Sequence, residues 1–400
     1  MSRVGVIGQG YVGLALAAEA ANSGHIVVGY DIDSHLISEL KQGISRIEDV
    51  PGSTLVKLIK SNRYLPTNEG SSLNSCEIVI IAVPTPLTKD QKPDLNFLQA
   101  AVETISKFIK SEILIINEST SYPGTLRKFI AENIFNKSGI KHKYAAAPER
   151  IDPGNKNWTI YNTTRIVSGL DHTATREAVN FYLTFTNSVV TVSTPEVAEM
   201  SKLVENSFRQ VNIAFVNELA QIANVFGVSI HEVLQAANTK PHGFMKFTPG
   251  AGVGGHCIPI DPIYLSFESK RKGIESSLID RANIVNQSMP SYIVSRILAD
   301  HSNNLKDKRI VVIGVAYKSN VADIRESPAF DIIKLLLKAN AKVVWHDPVV
   351  KNILDQDSQE IDNQDIAVVI TLHDSIKIEK LKKIKYVFDC TGNLTWATNL

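Results

Sequence analysis

The sequence predicts an α/β protein, with two Rossmann-like, doubly wound domains joined by a long helical central domain. Three observations lead there. Short β-branched runs alternate with helix-like stretches through the first third of the chain, which argues for a parallel sheet covered by helices on both faces. The same alternation returns after residue 304. Between the two, Pro195 to Gly227 holds no internal glycine or proline and reads as one long helix. A chain of 400 residues is long enough for two or three domains at roughly 100–200 residues each, and the expected divisions are 1–193, 194–303 and 304–400.

In order, Arg3–Ile7 is a short apolar run and Tyr11–Ser23 an Ala- and Leu-rich helix. His25–Tyr30 is a β-branched strand that ends at Asp31. Glu77–Val83, closed by Pro84 and Pro86, is a further strand, as are Glu112–Asn117 and Lys143–Ala147. In the central helix, Val204, Phe208, Val211, Phe215, Leu219 and Ile222 recur at helical spacing and are expected to be its buried stripe. Lys202 and Asn206, four apart, share the opposite side with Gln210 and Asn217. That side either meets solvent or lines a cleft. A loop rich in Gly and Pro follows over 241–262, then a helix over 277–301 that Pro290 should interrupt. Strands over Arg309–Ile313, Lys342–His346, Asp365–Thr371 and Lys385–Asp389, with a helix over Phe330–Ala339, complete the chain. The ends echo each other: Arg3–Gly8 resembles Arg309–Gly314, and the strand ending at Asp31 resembles the one ending at Asp347.

Lys and Arg number 42 against 41 Asp and Glu, a formal net charge of +1. Bulk charge therefore offers no basis for nucleic-acid or membrane binding. The three cysteines, Cys76, Cys257 and Cys390, cannot form a disulfide scaffold. Apolar runs such as Ile78–Pro84 are too short to cross a bilayer, and no secretory signal pattern opens the chain. A cytoplasmic protein is expected.

Gly8-Gln9-Gly10-Tyr11-Val12-Gly13 lies between a strand and a helix, the context in which this spacing binds a dinucleotide. Gly8 permits the turn, Gly10 the approach of a pyrophosphate, and Gly13 close packing of helix on sheet. The helix N-terminus offers N–H groups to phosphate. Asp31 is placed to accept from a ribose 2′-hydroxyl, and with Asp33 it disfavours a 2′-phosphate, so NAD is the expected cofactor. The second copy keeps only Gly314, and Tyr317 stands where backbone approach would be needed, so that domain should bind something else. Lys318 and Arg325 suit a phosphate-bearing substrate or form a solvated surface pair. In Gly250–Pro262, four glycines precede Cys257, and such a loop can present N–H groups to a substrate held against a thiol. Asp261 could serve there as a base. Cys76 and Cys390, beside apolar strands, read as buried structural residues. His256 and Cys257 have no spaced partners, so no metal site is expected.

Taken together these residues resemble the UDP-glucose/GDP-mannose dehydrogenase family. The marks run in order along nearly the whole chain: the glycine motif, Val83-Pro84-Thr85-Pro86, Glu118-Ser119-Thr120, Pro148-Glu149-Arg150, Lys202 with Asn206, the Cys257 loop, and Lys318 with Arg325. The resemblance implies an enzyme that oxidises C6 of a nucleotide sugar twice, from alcohol to carboxylate, with NAD. Cys257 would attack the intermediate aldehyde and carry a thiohemiacetal, then a thioester. Lys202 and Asn206 would stabilise oxyanions, Asp261 and Thr120 would handle protons, and Glu149 would activate the hydrolytic water. The cofactor would meet Gly8, Gly10, Tyr11, Val12, Gly13, Asp31, Pro84, Thr85, Ser119, Thr120 and Arg325. The sugar nucleotide would meet Glu149, Arg150, Lys202, Asn206, Gly254 and Lys318, its UDP lying in the C-terminal domain. The central helix would be the dimer interface, giving a homodimer or higher homo-oligomer.

Pro148–Asn155, Thr239–Phe244 and Cys257–Pro262 resemble the UDP-N-acetylglucosamine branch, so that sugar is the expected substrate, serving surface polysaccharide synthesis. UDP-N-acetylmannosamine and UDP-glucose are the alternatives. Many N-acetyl-type members carry an arginine before the glycine loop, where this chain has His242 and Lys246. A two-electron β-hydroxyacid dehydrogenase would use a Lys/Asn helix but needs neither Cys257 nor a second Rossmann domain. A non-catalytic NAD- or nucleotide-binding regulator is the alternative of another class.

Overall fold

The computed structural model describes residues 1–152, 155, 157–353 and 356–400. Pro153 and Gly154 of the Pro148–Asn155 motif lie outside the described residues. The chain forms two compact units, residues 1–205 and 206–400.

The first unit contains β1 (Arg3–Ile7), α1 (Tyr11–Asn22), β2 (Ile26–Tyr30), α2 (Ser34–Lys41), α3 (Gly52–Lys60), β3 (Tyr64–Thr67), β4 (Ile78–Ile81) and α4 (Asn96–Phe108). It continues with β5 (Leu114–Asn117), α5 (Glu132–Ser138), β6 (Lys143–Ala146), β7 (Arg165–Gly169), α6 (His172–Tyr182) and β8 (Val189–Thr191). The strand order is β3-β2-β1-β4-β5-β6-β7-β8, parallel except for the β6–β7 pair. Alternate residues of each strand enter opposite cores, as the two-residue period of a strand requires. Val4, Val6, Leu114 and Ile116 join α1 and α6 on one face, whereas Ile7, Ile81 and Ile115 join α4 and α5 on the other. Each such fully buried aliphatic side chain contributes about 1.5–3 kcal/mol. The strand at Tyr64–Thr67 was not legible from pattern because Pro66 interrupts it. It is tolerated because β3 is the sheet edge.

The helix α7 (Pro195–Val225) begins in the first unit and ends in the second. Then follow α8 (Ile230–Ala237), α9 (Asp261–Arg271), α10 (Ser277–Asp300), β9 (Arg309–Ile313), α11 (Ala329–Lys338) and β10 (Lys342–His346). A two-residue ladder, β11 (Asn352–Ile353) with β12 (Gln356–Asp357), precedes β13 (Ile366–Val369), α12 (Ile378–Leu381), β14 (Tyr386–Asp389) and β15 (Thr398–Asn399). The five-stranded parallel sheet has the order β10-β9-β13-β14-β15. Its crossing point repeats that of the first unit bond for bond. Gly314 N–H donates to His346 O and Ile370 N–H to Ile313 O, just as Gly8 N–H donates to Tyr30 O and Ala82 N–H to Ile7 O.

Two expectations fail here. The helix α10 runs through Pro290 without a break. Proline cannot donate to the carbonyl of Asn286, and Gly252 packs there so closely that a Cβ on it would lie 3.0 Å from that oxygen. The polarity of α7 is also the reverse of the expected one. Val204, Phe208, Phe215 and Ile222 are 46–53% exposed, while Lys202, Asn206, Gln210 and Asn217 are buried. The helical period was read correctly, but period alone does not say which stripe faces the chain's own fold. The buried polar stripe is held by hydrogen bonds: Asn217 donates to Asn286 Oδ1 (2.9 Å) and accepts from Gly250 N–H (2.9 Å), Gln210 Nε2 donates to Asn283 Oδ1 (3.4 Å), and Asn286 donates to the Gln210 carbonyl (3.1 Å).

Candidate active site

In the first unit, β1 lies between β2 and β4, so the strand order reverses at its C-terminal end, where open α/β sheets bind ligands. Gly8 turns there with φ +93°, and a Cβ on it would stand 2.5 Å from Ala82 O. A Cβ on Gly13 would lie 1.8 Å from Gly8 O, so only glycine lets α1 start this close to the strand. At Gly10 the space a Cβ would enter is open, and no side chain among the described residues caps α1. Beyond Gly10 lies a cavity of about 310 Å³ with Asp31 at its edge and Ile32, Leu36, Phe97, Ala101 and Thr104 in its walls. An open glycine at a helix N-terminus, a carboxylate and an apolar slot fit a pyrophosphate, a ribose and an adenine in sequence. Asp31 uses Oδ2 to accept Gln9 N–H (2.7 Å) and Oδ1 to accept Asp33 N–H (3.0 Å), which fixes the carboxylate in place. Asp33 is the N-cap of α2, accepting from His35 and Leu36 N–H, and these bonds hold its carboxyl below the usual range. The fold does bring an arginine near it, Arg46, whose guanidinium is engaged by Glu39.

The loop after β4 borders this crevice with Val83 and Pro84. Pro84 is exposed and Thr85 buried. Ser119 uses its hydroxyl to donate to Val83 O (2.8 Å) and accept Val83 N–H (2.9 Å), so it ties the loop after β5 to this one. Thr120 is half-buried beside it.

Glu149 sits in the loop after β6. One carboxylate oxygen accepts from the N–H groups of Arg150 (2.6 Å) and Ile151. The other, Oε2, is buried without a hydrogen-bond partner among the described residues, 3.7 Å from Arg165 Nη1. Arg165 also binds Glu118 Oε2 at 2.9 Å, Glu118 accepts from the Tyr182 hydroxyl, and the guanidinium stacks on the Tyr182 ring. Two buried carboxylates thus share one guanidinium. Burial drives the Glu118 carboxyl up, Arg165 opposes this, and Glu149 adds to it. Sequence reading missed Arg165 and Tyr182; the one signal was a charged residue opening the apolar run Arg165–Val167. Arg150, expected at the sugar, is engaged by Glu205 (2.6 Å) and Thr164 O (2.7 Å). Lys202 is buried on α7.

In the second unit Cys257 is exposed, while Cys76 and Cys390 are buried. The carbonyl of Cys257 accepts Asp261 N–H (2.9 Å), which sets the thiol-bearing turn on the first residue of α9. Asp261 is 1% exposed, and its Oδ2 accepts Asn206 Nδ2–H at 2.6 Å. Thus Asn206, Asp261 and the Cys257 backbone form one cluster. The glycine loop works differently from expectation. Gly255 N–H is taken by Arg325 O (2.9 Å) and Gly250 N–H by Asn217, so neither is presented to a substrate. A Cβ on Gly254 would meet Tyr317 at 2.7 Å and one on Gly255 its ring at 2.9 Å, so these glycines exist for close packing on Tyr317. The Arg325 side chain is paired with Asp323 (2.6 Å), and Lys318 is half-buried.

The second crossing point differs from the first in how much its aspartate holds. Asp347, the counterpart of Asp31, is fully buried and turns Oδ2 onto Val315 N–H (2.8 Å), Ala316 N–H (3.0 Å) and His373 Nε2 (3.1 Å). Its carboxyl is lowered to about 2 by these bonds against the cost of burial. Asp31 likewise holds Gln9 N–H, the counterpart of Val315 N–H, so the difference is Ala316 N–H, the counterpart of Gly10 N–H, which Asp347 holds as well. The open volume, about 300 Å³, lies instead among Gly250, Gly252, Tyr317, Ser319, Thr371 and Leu372.

The three domain models of the UDP-glucose/GDP-mannose dehydrogenase family match this chain: the NAD binding domain over residues 2–186, the central domain over 196–288 and the UDP binding domain over 311–395. The chain belongs to this family. It is an NAD-dependent nucleotide-sugar dehydrogenase, and the crevice at Gly10 and Asp31 lies within the matched NAD binding domain. The chain is 35% identical over 382 residues to a UDP-N-acetyl-D-mannosamine dehydrogenase of Pyrococcus horikoshii, covering 94% of this chain and 90% of that one. It is 34% identical over 360 residues to a UDP-N-acetyl-D-glucosamine 6-dehydrogenase of Pseudomonas aeruginosa, covering 87% and 83%. A solved UDP-glucose dehydrogenase from Pyrobaculum islandicum superposes with a TM-score of 0.90 at 25% identity, covering 100% of this chain and 96% of that one. Among the described residues no helix is long and apolar enough to cross a membrane.

Proposed function

We propose that this enzyme oxidises C6 of a UDP-2-acetamido-hexose to the carboxylate in two successive steps, with Cys257 as the covalent nucleophile. The supporting observation is the cluster of Asn206, Asp261 and Cys257, in which a buried amide and carboxylate stand behind an exposed thiol. NAD, when bound at Gly10 and Asp31, supplies a hydride acceptor. The C6 alcohol loses a hydride and its hydroxyl proton to give the aldehyde, and Thr120 assists the proton's departure through water. The Cys257 thiolate adds to that carbonyl, forming a C–S bond and an alkoxide stabilised by the Lys202 ammonium and the Asn206 amide. Loss of a second hydride, to a second NAD taken up after the first has left as NADH, would leave a thioester. Water, oriented by Glu149 with Asp261 taking a proton, adds to it and cleaves the C–S bond, releasing carboxylate and thiol. The thiol matters because an aldehyde carries a hydride that can leave only once an adduct has formed.

The uridine and diphosphate fit the cavity at Gly250, Tyr317 and Leu372, with Lys318 among the residues that would meet them. The domain divisions proposed are 1–193, 194–303 and 304–400. Both acetamido-sugar relatives stand at nearly the same identity, and the manno-configured name belongs to the one with the greater coverage. UDP-N-acetylmannosamine is therefore the first substrate to test and UDP-N-acetylglucosamine, the sequence expectation, the second. The exposed apolar stripe of α7, Val204 to Ile222, supports assembly with a second copy of the chain. The decisive assay is NADH formed per sugar consumed, with these two sugars, UDP-N-acetylgalactosamine and UDP-glucose. Two NADH per sugar from one acetamido sugar meets the proposal; one NADH, or a Cys257→Ala variant with unchanged turnover, overturns it.

A further inference from the structure

The loop after β5 carries Thr120, and it is anchored at more points than a turn of its length requires. Asn117 Nδ2 donates to Ser119 O (3.1 Å) and Ser121 Oγ (3.3 Å), and Ser119 clasps Val83. The loop ends at Gly124, whose φ of +94° turns the chain into the short π-helical segment Thr125–Ala131. At that turn a carboxylate arrives from elsewhere in the sequence. Glu199, on the second turn of α7, is 1% exposed. Its Oε2 accepts Gly124 N–H at 2.6 Å, and its Oε1 accepts Leu126 N–H at 2.8 Å and the Ser121 hydroxyl at 3.4 Å.

We propose that Glu199 is a positioning residue, which splints the Thr120 loop to the turn of α7 that carries Lys202. Lys202 follows Glu199 by three residues and so lies on the same helix face. One carboxylate therefore fixes, at once, the loop that bears Thr120 and the turn that bears the lysine. The proposal rests on the reading of Thr120 and Lys202 as working residues. The N–H groups of Gly124 and Leu126 can only donate, and they meet different oxygens, so the ionised carboxylate, an acceptor at both, suits them best. The charged groups around it are Glu196, one turn earlier on α7, and Arg127 from the π-helical segment, which pair with each other at 2.8 Å. Burial raises the Glu199 carboxyl to about 7, with the N–H groups of Leu126 and Gly124 opposing the rise. Protonation on the acid side puts a hydroxyl on one of the two oxygens, against the N–H that oxygen accepts, and loosens the splint.

The test is amide hydrogen exchange of the full-length enzyme without ligands, with Glu199→Gln and Glu199→Asp beside the parent. In Glu199→Gln the amides of Gly124 and Leu126 should exchange on the order of tenfold faster, while Ile115 and Ile116 in β5 keep their protection. The parent should show the same loosening between pH 8 and pH 6. Glu199→Asp should restore the pH dependence in part, and it stands in if the glutamine variant does not fold. Turnover should fall in Glu199→Gln. Unaltered protection of Gly124 and Leu126 in both variants would overturn the proposal. The exchange result is independent of which sugar is oxidised, so a failure of the substrate assignment leaves this test standing.

Discussion

Replacing Arg165 with methionine removes the one guanidinium that lies against both Glu118 and Glu149. Methionine nearly conserves the aliphatic volume, so the perturbation is chiefly electrostatic. Glu118 and Arg165 are 0% and 3% exposed at the side chain, and water cannot stand in for the lost partner. Breaking a buried pair on one side costs about 3–5 kcal/mol, because the remaining charge stays desolvated. The loss should depend on pH. Burial already raises the Glu118 carboxyl above its unfolded value, so its protonated form is favoured in the fold and stability falls as pH rises through the folded value. Without Arg165 that rise is larger. The deficit should therefore be greatest near pH 8 and shrink as Glu118 protonates toward pH 5. Urea denaturation of parent and Arg165→Met across this range measures it. A deficit below about 1 kcal/mol, the scale of an exposed pair, or one independent of pH, would refute the reasoning.

Other consequences are as specific. Gly10→Val meets open space and should leave the melting temperature unchanged while weakening NAD binding, whereas Gly13→Ala drives a Cβ against Gly8 O and should cost about 1–3 kcal/mol; calorimetry and NAD titration separate the two. Asn206→Ala leaves the buried Asp261 carboxylate without its 2.6 Å donor. It should lower stability by about 1–3 kcal/mol and turnover by about 10²–10³-fold, read by denaturation and steady-state kinetics. Phe208→Asp with Phe215→Asp places charge on the exposed stripe of α7. Sedimentation should show a smaller species, and an unchanged sedimentation coefficient would remove the stripe from the subunit interface.

Local pattern determined most of the architecture. A strand such as Arg3–Ile7 or Arg309–Ile313 is a β-branched run buried on both faces, and such runs are visible in one dimension. The Gly8–Gly13 turn was visible for the same reason: its backbone angles and close approaches demand glycine at fixed positions. Cys257 stood out because its neighbours are glycine, histidine and proline rather than an apolar strand. Tertiary structure decided what depends on partners distant in sequence. It reversed the polarity of α7, since burial of Asn206, Gln210 and Asn217 needs the carboxylate of Asp261, the side-chain amides of Asn283 and Asn286 and the backbone N–H of Gly250. It carried α10 through Pro290 and turned the glycines before Cys257 into packing residues against Tyr317. It set Asp347, a residue that in sequence looks the same as Asp31, on Ala316 N–H, the counterpart of Gly10 N–H. Arg165 and Glu199 were silent for a related reason. A buried charge is legible only together with the groups that satisfy it: the hydrogen-bonded carboxylate of Arg165 lies 47 residues away, and the donors to Glu199 lie 73–78 away.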